Sequence, residues 1–145
     1  MKRVFINPEM CMGCLNCILA CAVHQKKLKS VLELDITRQD IDFANQVVIN
    51  HNRQIIPLSC RHCETPECVL SCMSGALTKD QKTGYVTVDK EKCAGCFMCV
   101  MSCPYGMIKP TKDKKKALKC DMCFDRETPA CVESCPTKAI YLIEV

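Results

Sequence analysis

Apolar residues in this chain come in short runs rather than in the long amphipathic stretches that build large helices. Val4-Phe5-Ile6, Tyr85-Val86-Thr87-Val88 and Ile140-Tyr141-Leu142-Ile143 are rich in β-branched and aromatic residues and predict strands. Gln46-Val47-Val48-Ile49 and Gln54-Ile55-Ile56, separated by Asn50-His51-Asn52, predict a hairpin. Ala76-Leu77 and Tyr85 to Val88, joined through Asp80 to Gly84, predict a second. Only Ile18 to Leu28 has the apolar spacing of a short helix.

Cysteines interrupt these runs in a fixed rhythm. Cys11, Cys14, Cys17 and Cys21 are spaced C-x2-C-x2-C-x3-C, and Cys93, Cys96, Cys99 and Cys103 repeat that spacing, followed by Pro104. Two looser copies complete the set. Cys60, Cys63, Cys68 and Cys72 read C-x2-C-x4-C-x3-C, while Cys120, Cys123, Cys131 and Cys135 read C-x2-C-x7-C-x3-C, followed by Pro136.

A compact loop of three cysteines puts three sulfurs onto three irons of one cube, and the fourth begins a departing segment that ligates the neighbouring cluster. The four groups therefore predict four 4Fe-4S clusters. All 16 cysteines are used, and none is left for a disulfide or a catalytic nucleophile. Gly13 and Gly95 sit between the first two cysteines of their motifs, where the backbone passes close to the cluster and positive φ is expected. Their amides are candidate donors to sulfur that tune the potential. Paired C-x2-C units also build zinc sites, but those rarely have three cysteines in one tight loop, a fourth three residues on and a Pro behind it.

The repeat extends past the cysteines. Met73-Ser74-Gly75-Ala76-Leu77, Pro104-Tyr105-Gly106-Met107-Ile108 and Pro136-Thr137-Lys138-Ala139-Ile140 predict one shared turn, each followed by an apolar residue packed under a cluster. The first motif departs from this, running Ala22-Val23-His24-Gln25. The stretch 22–59 holds no cysteine and is expected to be a connecting insert that packs the halves and shapes a docking surface.

Composition sharpens the picture. Cysteine is about 11% of 145 residues, and without it the apolar share falls from 48% to about 37%, with no Trp to fill a core. So thin a core needs another source of stability, and the chain without iron is expected to be unfolded. Met1 to Met10 contains only Val4-Phe5-Ile6 as an apolar run, too short for a signal-peptide core, and no stretch approaches a membrane span. The expectation is a soluble, cytoplasmic protein with no direct membrane insertion.

The formal charge of +4 is too small, without a basic motif and interleaved aromatics, to indicate nucleic acid. Four oxidised clusters add roughly −8, which leaves about −4 on the loaded protein. Lys109 to Lys119 is the one charge run, with Lys109, Lys112, Lys114, Lys115, Lys116 and Lys119. It reads as a solvated linker or as a patch steering an acidic partner. His24, His51 and His62 are expected to be structural, because the thiolates already saturate four clusters. Glu64 and Glu67 are expected at the surface. No Walker loop, G-x-G-x-x-G or Ser-His-Asp grouping points to nucleotide, flavin or hydrolytic chemistry.

On these motifs the chain resembles the four-cluster ferredoxin-like electron-transfer subunits of the dimethyl sulfoxide reductase, formate dehydrogenase and hydrogenase type. Cys60-Arg61-His62-Cys63 with Pro66 and Cys68, Cys72-Met73-Ser74-Gly75-Ala76, and Ala117-Leu118-Lys119-Cys120-Asp121-Met122-Cys123 look most like the iron-sulfur protein partnering anaerobic carbon monoxide dehydrogenase. The resemblance implies an α+β fold: one domain, 1–145, of two pseudo-symmetric bacterial-ferredoxin-like halves, with small β-hairpins and short helices around four 4Fe-4S clusters. The first and fourth motifs form one half, the second and third the other.

It implies ligand sets of Cys11, Cys14, Cys17 and Cys135; Cys120, Cys123, Cys131 and Cys21; Cys60, Cys63, Cys68 and Cys103; and Cys93, Cys96, Cys99 and Cys72. The implied role is non-catalytic: low-potential electrons pass from a redox enzyme, carbon monoxide dehydrogenase, to a hydrogenase or flavoprotein acceptor. A tungsten or molybdenum aldehyde, formate or reductase enzyme, or a hydrogenase, is the alternative partner. Copies joined end to end would extend the wire by self-association, and a zinc-organised interaction module is the remaining reading.

Overall fold

The computed structural model describes residues 1–35, 37, 41–50, 52 and 54–144. His51 lies outside the described residues. The chain forms short helices and four two-stranded antiparallel sheets. Strand β1 (Lys2–Ile6) pairs with β8 (Ile140–Glu144), from Lys2 opposite Glu144 to Ile6 opposite Ile140, so the two ends of the described chain close one sheet. The rings of Phe5 and Tyr141 stack across it with centroids 6.3 Å apart, a cross-strand pair of the kind that holds a two-stranded sheet.

Both predicted hairpins form. Strand β2 (Gln46–Ile49) pairs with β3 (Ile55–Leu58), and β4 (Leu77–Lys79) pairs with β5 (Val86–Val88). The predicted helix appears as α1 (Asn16–Gln25), which starts two residues earlier and ends three earlier than the apolar spacing suggested. Leu15 in left-handed conformation opens it. Left-handed Phe97 likewise opens α3 (Met98–Ser102). The single turns α2 (Glu67–Leu70) and α4 (Ala130–Glu133) each follow a proline, which has no N–H to lose at a helix start. Helix α1 packs on α4, and α2 on α3.

The run from Lys109 to Lys119 is not a solvated linker. It is a third hairpin, β6 (Lys109–Pro110) against β7 (Ala117–Leu118). Lys109 holds its ammonium 4.4 Å from the Phe43 ring centre. Lys116 donates to the Cys93 carbonyl at 2.7 Å, and Lys119 is only 2% exposed. Long aliphatic stems let these lysines pack while their heads find carbonyls or a ring face. Only Lys112, Lys114 and Lys115 remain on the surface.

Two small buried clusters form the core. One joins Leu77, Val86, Ile108 and Ala117 to Cys99, and the other joins Ile140 to Cys17 and Cys131. In each, apolar residues pack directly behind thiols, so the core and the cysteine sites are built from the same layer.

Candidate metal centre

Each cysteine motif begins with a loop whose second intervening residue is left-handed: Gly13 (φ 72°), His62 (φ 47°), Gly95 (φ 69°) and Met122 (φ 63°). This turns the first two cysteines of each motif the same way. The two predicted glycine positions thus have the positive φ expected of them. At Gly95 a side chain would also collide with the Lys115 carbonyl, and at Gly13 a Cβ would stand 2.8 Å from Ile55 Cδ1.

Three cavities each gather three cysteines of one motif with the fourth cysteine of another. Cys60, Cys63, Cys68 and Cys103 line one of about 380 Å³. Cys72, Cys93, Cys96 and Cys99 line another of about 310 Å³. Cys21, Cys120, Cys123 and Cys131 line a third of about 390 Å³, and Cys60 of the second motif lines it as well. Cys11 and Cys14 lie close enough to Cys17 to bear on its charge, and Cys135 packs on the buried cluster that contains Cys17. Cys14 and Cys96 are the exposed members of the set.

Backbone amides converge on the sulfurs. Leu77 donates to Cys72 Sγ at 3.4 Å, Met107 to Cys103 Sγ at 3.4 Å, Met122 to Cys120 Sγ at 3.4 Å and Ala117 to Cys93 Sγ at 3.5 Å. The first two come from the shared turn after the fourth cysteine, closed by Gly75 N–H to Cys72 O and Gly106 N–H to Cys103 O. Helix α1 runs straight through Cys21, so no such turn follows it. The insert replaces the turn: Ala44 donates its amide to Cys21 Sγ at 3.3 Å, and Asn45 hydrogen-bonds Cys131. Apart from the lack of a turn after Cys21, nothing in the sequence signalled this role for Ala44.

The charges on the thiols show what the cavities are suited to hold. Burial, with repulsion from Cys131, Cys11 and Cys14, pushes the Cys17 thiol up to about 11. Burial pushes Cys68 to about 11 against the pull of Lys119, and Cys123 to about 12. Cys120, Cys21 and Cys131 are raised for the same first reason. At the rim, burial raises Cys72 and Cys135 slightly, but amide and hydroxyl donors outweigh it and both thiols are lowered. Clustered thiols that repel one another when ionised, with N–H groups aimed at their sulfurs, form a donor set for a polynuclear metal cation.

His62 is buried, and its Nδ1 accepts the Val86 amide at 2.9 Å. Burial first, then Lys119 and Arg3, holds its pKa down to about 2. The neutral ring therefore carries its proton on Nε2, which is buried and has no partner among the described residues, and the residue lines the Cys60 cavity. His24 lies 3.5 Å from Asp121 and 3.6 Å from Asp125, next to Cys123. Glu64 and Glu67 are exposed, as expected.

Sixteen thiols in loops of this form define an iron-sulfur electron-transfer protein carrying four 4Fe-4S clusters. The protein belongs to the 4Fe-4S dicluster domain family, whose pattern matches residues 51–145. It is 34% identical to an iron-sulfur protein of Rhodospirillum rubrum, over 98% of this chain and 82% of the relative. It is 37% identical to the B subunit of the anaerobic dimethyl sulfoxide reductase of Escherichia coli, over 94% of this chain and 70% of the relative. In fold it resembles a polypeptide of the active site complex BamBC of benzoyl coenzyme A reductase, with TM-score 0.53 and 24% identity over 99% of this chain and 79% of that one. Such proteins are electron-transfer subunits of oxidoreductase complexes, and this chain's role is to carry electrons rather than to catalyse a reaction. Among the described residues no helix is long and apolar enough to cross a membrane.

Proposed function

We propose that the chain is a single domain of two pseudo-symmetric halves that passes low-potential electrons through four sites in sequence. The ligand sets are Cys11, Cys14, Cys17 and Cys135; Cys21, Cys120, Cys123 and Cys131; Cys60, Cys63, Cys68 and Cys103; and Cys72, Cys93, Cys96 and Cys99. The observation that carries this reading is the trio of cavities that each bring three cysteines of one motif together with the fourth cysteine of another. The exposure of Cys14 and Cys96 supports the first and last of these sets as entry and exit.

Bound 4Fe-4S clusters supply reversible one-electron storage. The chain holds them through its thiolates, aims amides such as Leu77 and Ala44 at the sulfurs, and excludes water from the inner pair by packing Val86, Met107, Met122 and Ala130 around them. Sharing each cavity between two motifs crosslinks distant segments, so neighbouring sites stay within reach of each other.

The electron donor is a cytoplasmic redox enzyme, carbon monoxide dehydrogenase. The acceptor is a hydrogenase or flavoprotein. The segments around Cys60, Cys72 and Cys120 support that donor. A second reading, a molybdenum reductase as partner, is favoured by the likeness to the B subunit of dimethyl sulfoxide reductase. The test mixes anaerobic, oxidised protein with carbon monoxide dehydrogenase, adds carbon monoxide and follows loss of the visible iron-thiolate absorbance. Fast bleaching supports the first partner. No bleaching, in protein that dithionite still bleaches, rejects it in favour of the reductase.

A further inference from the structure

The two inner sites face each other with opposite electrostatic surroundings. The Cys60 loop continues Arg61-His62, whereas the corresponding positions of the Cys120 loop are Asp121-Met122. The residue before Cys60 is Ser59, and the residue before Cys120 is Lys119. Lys119 nevertheless lines the Cys60 cavity, and Ser59 lines the Cys120 cavity, so each loop lends its leading residue to the other's site.

Lys119 is 2% exposed, and its ammonium donates to Val86 O at 2.6 Å and Cys120 O at 2.7 Å. Among the described residues no carboxylate forms an ion pair with it. A buried cation without a counter-charge is costly, and its charge favours the ionised forms of Cys68 and Cys120. Arg61, itself exposed, stacks 4.3 Å from the Tyr105 ring centre at the same cavity, and the neutral His62 lines it too. The one acid lining this cavity, Glu67, is exposed.

The Cys120 cavity has the reverse lining. Among the described residues its one charged lining side chain is Asp121, fixed by accepting the Cys123 amide at 2.9 Å, with His24 3.5 Å from its other oxygen. The Asp121 charge opposes ionisation of Cys21 and Cys123. Lys119 also reaches the Cys120 carbonyl, so both sites feel it, but the carboxylate at the Cys120 site, Asp121, is part-buried, whereas Glu67 at the Cys60 site is exposed.

We propose that Lys119 is a positioning residue that, opposed by Asp121, builds a potential step between the two inner sites, making the Cys60 site the easier to reduce. Adding one electron adds one negative charge, which the lining of the Cys60 cavity stabilises and that of the Cys120 cavity resists. Electrons arriving at the Cys120 site therefore run downhill to the Cys60 site, and transfer through the interior has a preferred direction. The inference rests on the ligand sets proposed above.

The test is an anaerobic redox titration of the loaded protein followed by electron paramagnetic resonance, with iron per chain measured first. Cys63→Ser and Cys123→Ser assign the two inner signals. The wild type is expected to reduce at the Cys60 site first. Lys119→Met is expected to weaken reduction there about tenfold, about 59 mV for a one-electron couple, while Lys119→Arg keeps the wild-type value. Asp121→Asn, which retains the acceptor for the Cys123 amide, is expected to raise the potential of the Cys120 site and narrow the gap. Unmoved potentials in fully loaded Lys119→Met, or a wild type in which the Cys120 site reduces first, overturn the proposal. If Lys119→Met fails to load iron, the wild-type order and Asp121→Asn decide, and a gap unchanged by Asp121→Asn overturns it. Loss of the same signal in both serine variants is a different failure: it rejects the ligand sets, and the step between them falls too.

Discussion

The backbone amide of Ala44 points at the sulfur of Cys21 from 23 positions along the chain, at 3.3 Å and in a buried setting. Three of the four motifs are followed by a turn, and after Cys72 and Cys103 that turn supplies a local amide to the sulfur. Cys21 cannot have one, because α1 continues past it to Gln25. The insert therefore has a specific task at the site and is more than a spacer.

Removing that donor tests the task. Ala44→Pro deletes the N–H while keeping an apolar side chain, and Ala44→Gly keeps the N–H. A hydrogen bond to a charged sulfur contributes about 1.5–3 kcal/mol. The proline variant is expected to lose iron from one site faster and to lower that site's potential, with the glycine variant near wild type. Equal behaviour of the two variants in a titration would show that the amide does nothing.

Gly95 and Gly75 share positive φ but not surroundings. Gly95→Ala adds a Cβ that collides with the Lys115 carbonyl, whereas Gly75→Ala meets nothing within 4 Å. Strain alone costs about 1 kcal/mol at Gly75, and His62 and Met122 show that a side chain is tolerated at the loop position of Gly95 where there is room. Gly95→Ala is expected to lower the thermal midpoint and iron content far more than Gly75→Ala. Similar losses in both would mean that φ, not space, decides.

Acid should release the clusters. In the folded arrangement burial favours the protonated thiol, at about 11 for Cys17 and Cys68 and about 12 for Cys123, so protons compete with iron for these sulfurs and the competition strengthens as pH falls. Loss of visible absorbance to a chelator is expected to be faster at about pH 5.5 than at about pH 8. With so small a core, demetallated protein is expected to show no cooperative melt by circular dichroism at any of these pH values.

Surface steering by the 109–119 hairpin rests on its three exposed lysines. Lys112→Gln, Lys114→Gln and Lys115→Gln together are expected to slow association with an acidic partner at low salt, with the difference vanishing at high salt. Lys116→Gln removes the hydrogen bond to the Cys93 carbonyl, and its expected effect is on iron retention in that loop instead. Stopped-flow rates at two ionic strengths separate the two outcomes.

The sequence by itself determined the cofactor class, the number of thiolates, the left-handed glycines and both predicted hairpins. Those features depend on residues a few positions apart, and short-range geometry limits what they can form. Only the tertiary structure decided that Lys109 to Lys119 folds into a hairpin with a buried ammonium at its end, because a lysine's burial depends on which carbonyls and thiols approach from elsewhere. The same holds for Ala44 at Cys21 and for the opposed linings of the two inner cavities. Each arises from segments tens of residues apart meeting at one sulfur cluster, and no local pattern encodes such a meeting.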